Sequence, residues 1–292
     1  MGWGLVFSIL AASGFGVMSI VAKLAYDQGL DPPGLLQIRF TVAVPLMALV
    51  LWVKDRRLLK PTRPVIIKAF ILGCLLYGIQ SATFFVGLTR IPASTSALIL
   101  YLYPLVVTLL SVLFLGMKPD RVTAVSLGLV AGGCALVFYD AFQRNLDPLG
   151  LLLVGIAMVT FSGYMVSAQV FLRRENPLQV TFYVIVMAAL TFNLWSGPGQ
   201  WTGFNLPSLA LASLLGIVST VMAISLLYLA IERIGSAYVS IFSTIEPVVT
   251  VTLAWLVLGE PLVAWQLLGM GLIVAGIVLP NLGRARAAEA KF

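Results

Sequence analysis

Apolar runs of about twenty residues, each closed by a short polar or turn-forming break, recur from one end of the chain to the other. A helix needs roughly 20 apolar residues to cross about 30 Å of hydrocarbon, so the pattern predicts membrane spans. The runs fall at 3–26, 33–53, 65–88, 94–115 and 122–139, then at 149–172, 178–195, 207–231, 237–258 and 262–279. Between them lie Asp31-Pro32-Pro33, Lys118-Pro119-Asp120, Glu175-Asn176-Pro177 and Ser196-Gly197-Pro198-Gly199, whose residues favour turns for steric reasons. The expected fold is an all-α integral membrane bundle of ten helices in two five-helix halves, 1–145 and 146–292.

The halves repeat. Arg90-Ile91 recurs as Arg233-Ile234, and at the same offset Gly73 meets Gly216, Pro104 meets Pro247, Leu115-Gly116 meets Leu258-Gly259, Gly128 meets Gly271 and Gly133 meets Gly276. An odd number of spans per half turns the second copy upside down, the inverted arrangement common among secondary transporters. With the N-terminus in the cytoplasm, Lys54, Arg56, Arg57, Lys60, Arg63, Lys68, Lys118, Arg121, Arg173, Arg174, Arg233, Arg284, Arg286 and Lys291 all lie inside. Lys23, Arg39, Arg90 and Arg144 then fall near the outer side, so the positive-inside rule selects cytoplasmic termini.

Composition narrows the picture. At 60% hydrophobic and 10% charged residues, the chain is too apolar for a soluble domain, and the lipid bilayer is its expected surroundings. The net charge of +7 resides in short clusters between spans, which argues against a nucleic-acid partner. With no histidine and only Cys74 and Cys134, both inside apolar runs, neither a disulfide framework nor a metal site is expected. The first run is too long for a signal peptide and has no Lys or Arg before Lys23, so it reads as a permanent span. No phosphate-binding loop, metal-ligand spacing or nucleophile-base pair is seen, so the expectation is a non-enzyme without cofactor, driven by gradients.

Arg90-Ile91-Pro92-Ala93 leading into Tyr103-Pro104, Arg233-Ile234-Gly235-Ser236-Ala237 leading into Glu246-Pro247, Gly259-Glu260 and the stretch 269–276 together resemble the drug/metabolite transporter superfamily, in its branch of two EamA-type repeats. The likeness covers essentially the whole chain. Within that superfamily the chain is similar to YddG-type exporters of aromatic and neutral amino acids in bacterial inner membranes. The resemblance implies a multi-pass inner-membrane protein with a small-molecule substrate; a monomer is expected, with oligomers left open.

Pro104 and Pro247 lack the amide hydrogen that a helix would give to Leu100 and Ser243. Paired helix breaks at matching positions point to a central site, although prolines also bend helices for packing alone. Glu246 falls near the middle of its run, where a carboxylate costs about 3 kcal/mol unless protonated, paired or wetted. Its candidate roles are attraction of a cargo ammonium and proton carriage; the competing role is a protonated bond to a neighbouring helix. The matching position in the first half is Tyr103, beside Tyr101, which makes the expected site chemically lopsided.

Helical spacing places Tyr77, Gln80, Ser81 and Phe84 on one face, Tyr238, Phe242 and Glu246 on another, and Phe161, Tyr164, Met165 and Ala168 on a third. With Met18 these faces describe a pocket of rings, thioether and a few hydrogen-bonding groups, suited to an amphipathic molecule. Packing seams and interface anchors are the plainer readings of such stripes. The first-half counterpart of the apolar set Thr220, Ala223, Ile224 and Leu227 is the polar wall. Lys23, Arg39 and Arg90 are expected to snorkel to headgroups, with a gating ion pair as the lesser reading, so no cation is expected deep in the membrane. That disfavours sugar phosphates and nucleotide sugars as cargo against amino acids. Cationic drugs are a competing cargo on the same fold, and an integral-membrane enzyme or a purely structural membrane protein would be a different class altogether.

Overall fold

The computed structural model describes residues 2–118, 120–143, 146–197, 205–261, 263–265 and 267–276. Arg144, Pro119, Leu262 and the end of the tenth run, 277–279, lie outside them, as do Arg284, Arg286, Lys291 and the side chains of Cys134, Pro247 and Tyr139. The described secondary structure is entirely helical. That follows from the solvent, because in hydrocarbon a helix satisfies its own backbone groups.

Helices α1 (Gly2–Gly16) and α2 (Met18–Asp27) form one stretch, followed by α3 (Pro32–Lys54). Next come α4 (Arg63–Phe70) and α5 (Gly78–Leu88), joined through a π-helical segment, Ile71–Tyr77. The first half continues with α6 (Ala93–Leu100), α7 (Tyr103–Leu115) and α8 (Arg121–Gln143). The second contains α9 (Pro148–Leu172), α10 (Pro177–Ser196), and α11 (Leu206–Leu215) and α12 (Ala223–Ile234), joined by a second π segment, Gly216–Met222. It ends with α13 (Ser236–Phe242), a 3-10 turn Ser243–Ile245, α14 (Glu246–Leu258) and α15 (Leu267–Gly276). Among the described residues, six stretches are long and apolar enough to cross a bilayer: Gly2–Asp27, Pro32–Lys54, Arg63–Leu88, Pro148–Leu172, Pro177–Ser196 and Leu206–Ile234. Tyr103–Leu115, Arg121–Gly133, Val248–Leu258 and Leu267–Gly276 are shorter apolar helices.

Starts and stops follow ordinary capping chemistry. Asp31, Asp147, Asn176 and Asn205 accept from the first amides of α3, α9, α10 and α11, each with a proline in the first turn. Gly116 and Gly259 end α7 and α14 in the left-handed region at φ 66° and 65°, matching positions that only glycine adopts without strain. Trp3, Trp52, Trp195, Trp255 and Trp265 stay exposed near helix ends, as headgroup-level aromatic anchors do.

The strongest pairings join one half to the other: α1 with α12, α5 with α9, and α3 with α10. Lipid offers no hydrophobic drive between helices, so close backbone approach at small residues must supply the attraction. A Cβ on Gly73 would lie 2.6 Å from the Val184 carbonyl oxygen, and one on Gly216 would lie 2.8 Å from that of Arg39. The same exchange closes α8 onto α15, where a Cβ on Gly133 would stand 2.5 Å from the Gly269 oxygen and one on Gly276 2.8 Å from that of Ser126.

Gly155 has nothing within 4 Å of a built Cβ and serves as the control. Gly73→Ala should lower stability in detergent by roughly 1–3 kcal/mol through overpacking, whereas Gly155→Ala should leave it unchanged or slightly raised. Thermal unfolding followed by intrinsic fluorescence checks both.

Candidate functional site

At the centre of the bundle lies a cation that residue counting along the chain puts elsewhere. Arg39 is fully buried, so the expectation that it snorkels to the surface is corrected, and with it the expectation of a deep membrane free of cations. It enters the interior because α3 runs against Gly216, whose missing side chain lets the two backbones touch. Nε donates to Thr220 Oγ1 at 2.7 Å, Nη2 to Tyr77 Oη at 3.1 Å and to the Ser219 carbonyl at 3.2 Å, and Nη1 to Met18 Sδ at 3.2 Å. The Phe40 and Phe85 rings flank the guanidinium at 4.9 and 5.5 Å. Tyr77 and Thr220 occupy matching positions of the two repeats and belong to the two π segments, which frequently mark functional sites.

From Tyr77 a row of rings leads toward Glu246. Tyr77 lies 5.3 Å from Tyr164, Tyr164 stacks on Phe161 at 5.9 Å, Phe161 meets Tyr103 edge-on at 5.0 Å, and Tyr103 lies 6.0 Å from Tyr101. The Tyr101 side chain lies within electrostatic reach of the Glu246 carboxyl. Tyr103 also donates to the Ser240 carbonyl at 3.3 Å and ties its helix to the opposing interrupted helix. The Tyr164 and Tyr228 hydroxyls are within electrostatic reach of each other, yet neither meets hydrogen-bond geometry with another described group.

The helix carrying Pro104 is interrupted at Tyr101 and Leu102, and the one carrying Pro247 at the 3-10 turn just before Glu246. Met18, Tyr77, Tyr101, Tyr103, Phe161, Tyr164 and Glu246 thus form one connected set. Gln80 and Ser81 are buried on α5, where Ser81 donates to Gln80 Oε1 at 3.2 Å. Phe84 packs edge-on against Phe85, one step from Arg39. Phe242 is buried in the common core and Tyr238 half-buried beside it. Phe161 and Tyr238 are half-buried and the rest of the set is buried.

Each end of the bundle has its own opening. At the end bearing the α2–α3 turn, a vestibule of about 330 Å³ is lined by Lys23, Tyr26, Asp27, Leu88, Thr89, Leu258 and Glu260. There Glu260 accepts from the Ala93 amide at the start of α6 at 3.0 Å and faces Lys23 Nζ at 4.0 Å. Lys23 is therefore tied to a carboxylate, and Arg90 pairs with Asp147 at 2.9 Å, in place of free snorkelling. At the opposite, basic end, Gln169 Oε1 accepts from the Ser236 amide at 2.7 Å and its hydroxyl at 2.6 Å, beside a second cavity of about 330 Å³. Sequence reasoning missed Gln169, Ser219 and the roles of Thr220 and Glu260; the repeat offset that pairs Thr220 with Tyr77 and the Gly259-Glu260 motif were the signals available.

An all-helical, multi-pass membrane protein with two interrupted helices meeting at a buried polar centre is the class these features define. A model of the EamA-like transporter family matches residues 2–139 and 148–282, and the chain belongs to that family. It is 27% identical to "Uncharacterized transporter sll1319" of Synechocystis, covering 95% of this chain and 93% of the relative. It is 26% identical to "Uncharacterized transporter YcbK" of Bacillus subtilis, over 92% and 89%. A solved crystal structure shares the fold with a TM-score of 0.77 at 18% identity, covering 97% of this chain and 98% of that one.

The Arg90 guanidinium holds the Asp147 carboxyl below the usual carboxylate range, first through its hydrogen bond and then with help from the Leu149 amide. A depressed folded value means that the contact contributes above the ordinary carboxylate range and disappears as pH falls through the lowered value. In Arg90→Gln the Asp147 titration should move back toward the ordinary value, measured by carboxyl-labelled NMR in detergent. Separately, Glu260→Ala should cost about 1 kcal/mol of thermal stability through the uncapped Ala93 amide, and Glu260→Gln, which keeps an acceptor there, less.

Proposed function

We propose that the protein exports amino acids, aromatic and neutral ones among them, or related small amphipathic metabolites across a bacterial inner membrane. The two halves, 1–145 and 146–292, would rock as oppositely inserted copies about a shared site, with both termini cytoplasmic and gradients supplying the energy. One observation carries this reading: the two interrupted helices meet inside the bundle, with Glu246 within electrostatic reach of Tyr101 and next to a row of rings. A buried carboxyl and phenols along an aromatic wall match a cargo with an ammonium group on an apolar body. Family membership and the relatives' printed names favour transport over catalysis.

Anionic cargo such as sugar phosphates has one observation in its favour, the buried Arg39. Competition by anionic sugars against amino-acid uptake discriminates the two readings, and only the anionic-cargo reading expects strong inhibition.

Glu246→Gln should change flux several-fold and flatten its pH dependence while the protein still inserts. Proteoliposome uptake across a pH series checks this; an unchanged rate and profile would remove Glu246 from the mechanism.

A further inference from the structure

Arg39 is a fully buried cation, and every described group that holds it is neutral: a hydroxyl, a phenol, a backbone carbonyl, a thioether and two ring faces. The ion pairs among the described residues belong to Lys23, Lys68 and Arg90. Oriented dipoles offset part of the cost of taking a guanidinium out of water; an anion offsets far more.

The four contacts are unequal. Nε and Nη2 face oxygen acceptors at 2.7 to 3.2 Å, whereas Nη1 is given to the Met18 sulfur, a weak acceptor. Nη1 is thus the nitrogen most easily taken over by a better acceptor, and a charge-assisted bond from it to a carboxylate is stronger than one to a neutral group.

The location gives that edge an approach. Tyr26 lines the vestibule, lies within electrostatic reach of Arg39 and donates to the Phe85 carbonyl at 3.2 Å, while the Phe85 ring covers the guanidinium. Tyr26 and Phe85 are therefore the layer between the vestibule and the cation. At a helical rise of 1.5 Å per residue, Arg39 lies roughly 10 Å into its span, and Glu246 lies nearer the middle of its own. The ring row joins the two.

We propose that Arg39 recognises a carboxylate on the cargo, which displaces the Met18 thioether from Nη1 and supplies the missing counter-charge. The apolar body of the cargo then lies along Tyr77, Tyr164 and Phe161, and its opposite pole faces Glu246. A phosphate is the poorer fit, because a single guanidinium with one replaceable contact leaves the second negative charge unmatched. This assignment rests on the transport reading above and narrows it to carboxylate-bearing amphiphiles.

The test uses the full chain in proteoliposomes, with counterflow and binding measured for phenylalanine, leucine and methionine against their amides, and for phenyl phosphate. Wild-type protein should favour each acid over its amide by about tenfold or more and bind phenyl phosphate more weakly than phenylalanine. Arg39→Gln should cut that discrimination to under about threefold while affinity for the amides holds; Arg39→Lys replaces it if the neutral variant fails to insert, with an intermediate loss expected. Equal loss for acids and amides would mark Arg39 as a structural brace and overturn the proposal. So would equal wild-type preference for both, or tighter binding of phenyl phosphate, with transport still standing. Wild-type vesicles that move no probe at all would overturn the transport reading and this proposal together.

Discussion

Backbone hydrogen bonds have no water to fall back on inside a bilayer, and that constraint shapes every part of this protein. Helices must run unbroken wherever they face lipid, and a break is tolerated only where other protein covers it. The interruptions at Tyr101 and at Ser243–Ile245 meet this condition, because α7 and α13 pack on each other and Tyr103 reaches the Ser240 carbonyl across the seam. Close glycine contacts bring the backbones near enough for that cover.

Duplication supplies the frame, and divergence within it supplies the chemistry. Matching positions hold Tyr77 and Thr220, and both grip the same guanidinium from opposite halves. Tyr103 and Glu246 are likewise counterparts, one a phenol bonded across the seam and the other a buried carboxyl. A perfectly symmetric site would present the same group from both sides. Divergence at matching positions has instead left a phenol in one half and a carboxyl in the other.

Much of the frame could be read from the chain, since run length, turn residues and the repeated Gly and Pro positions are local signals. The left-handed glycines at 116 and 259 and the interruptions near Pro104 and Pro247 fall where those signals lie. Arg39 could not be placed so simply. Counting residues puts it near the end of an apolar run, where snorkelling is the usual outcome, and only the contact between α3 and Gly216 carries it inward. The π segments were equally hidden, because no residue type marks a widened turn. Gln169 and Glu260 act on helices remote in sequence, so their roles depend on packing alone.

The two ends of the bundle are fastened by different forces. One relies in part on opposite charges, Lys23 and Glu260, that are reached by solvent; the other on uncharged hydrogen bonds between Gln169 and Ser236. Mobile ions weaken the first kind of attraction within a Debye length, about 8 Å at physiological ionic strength, and leave the second almost untouched. Salt on one face of the membrane is therefore felt unequally by the two closures.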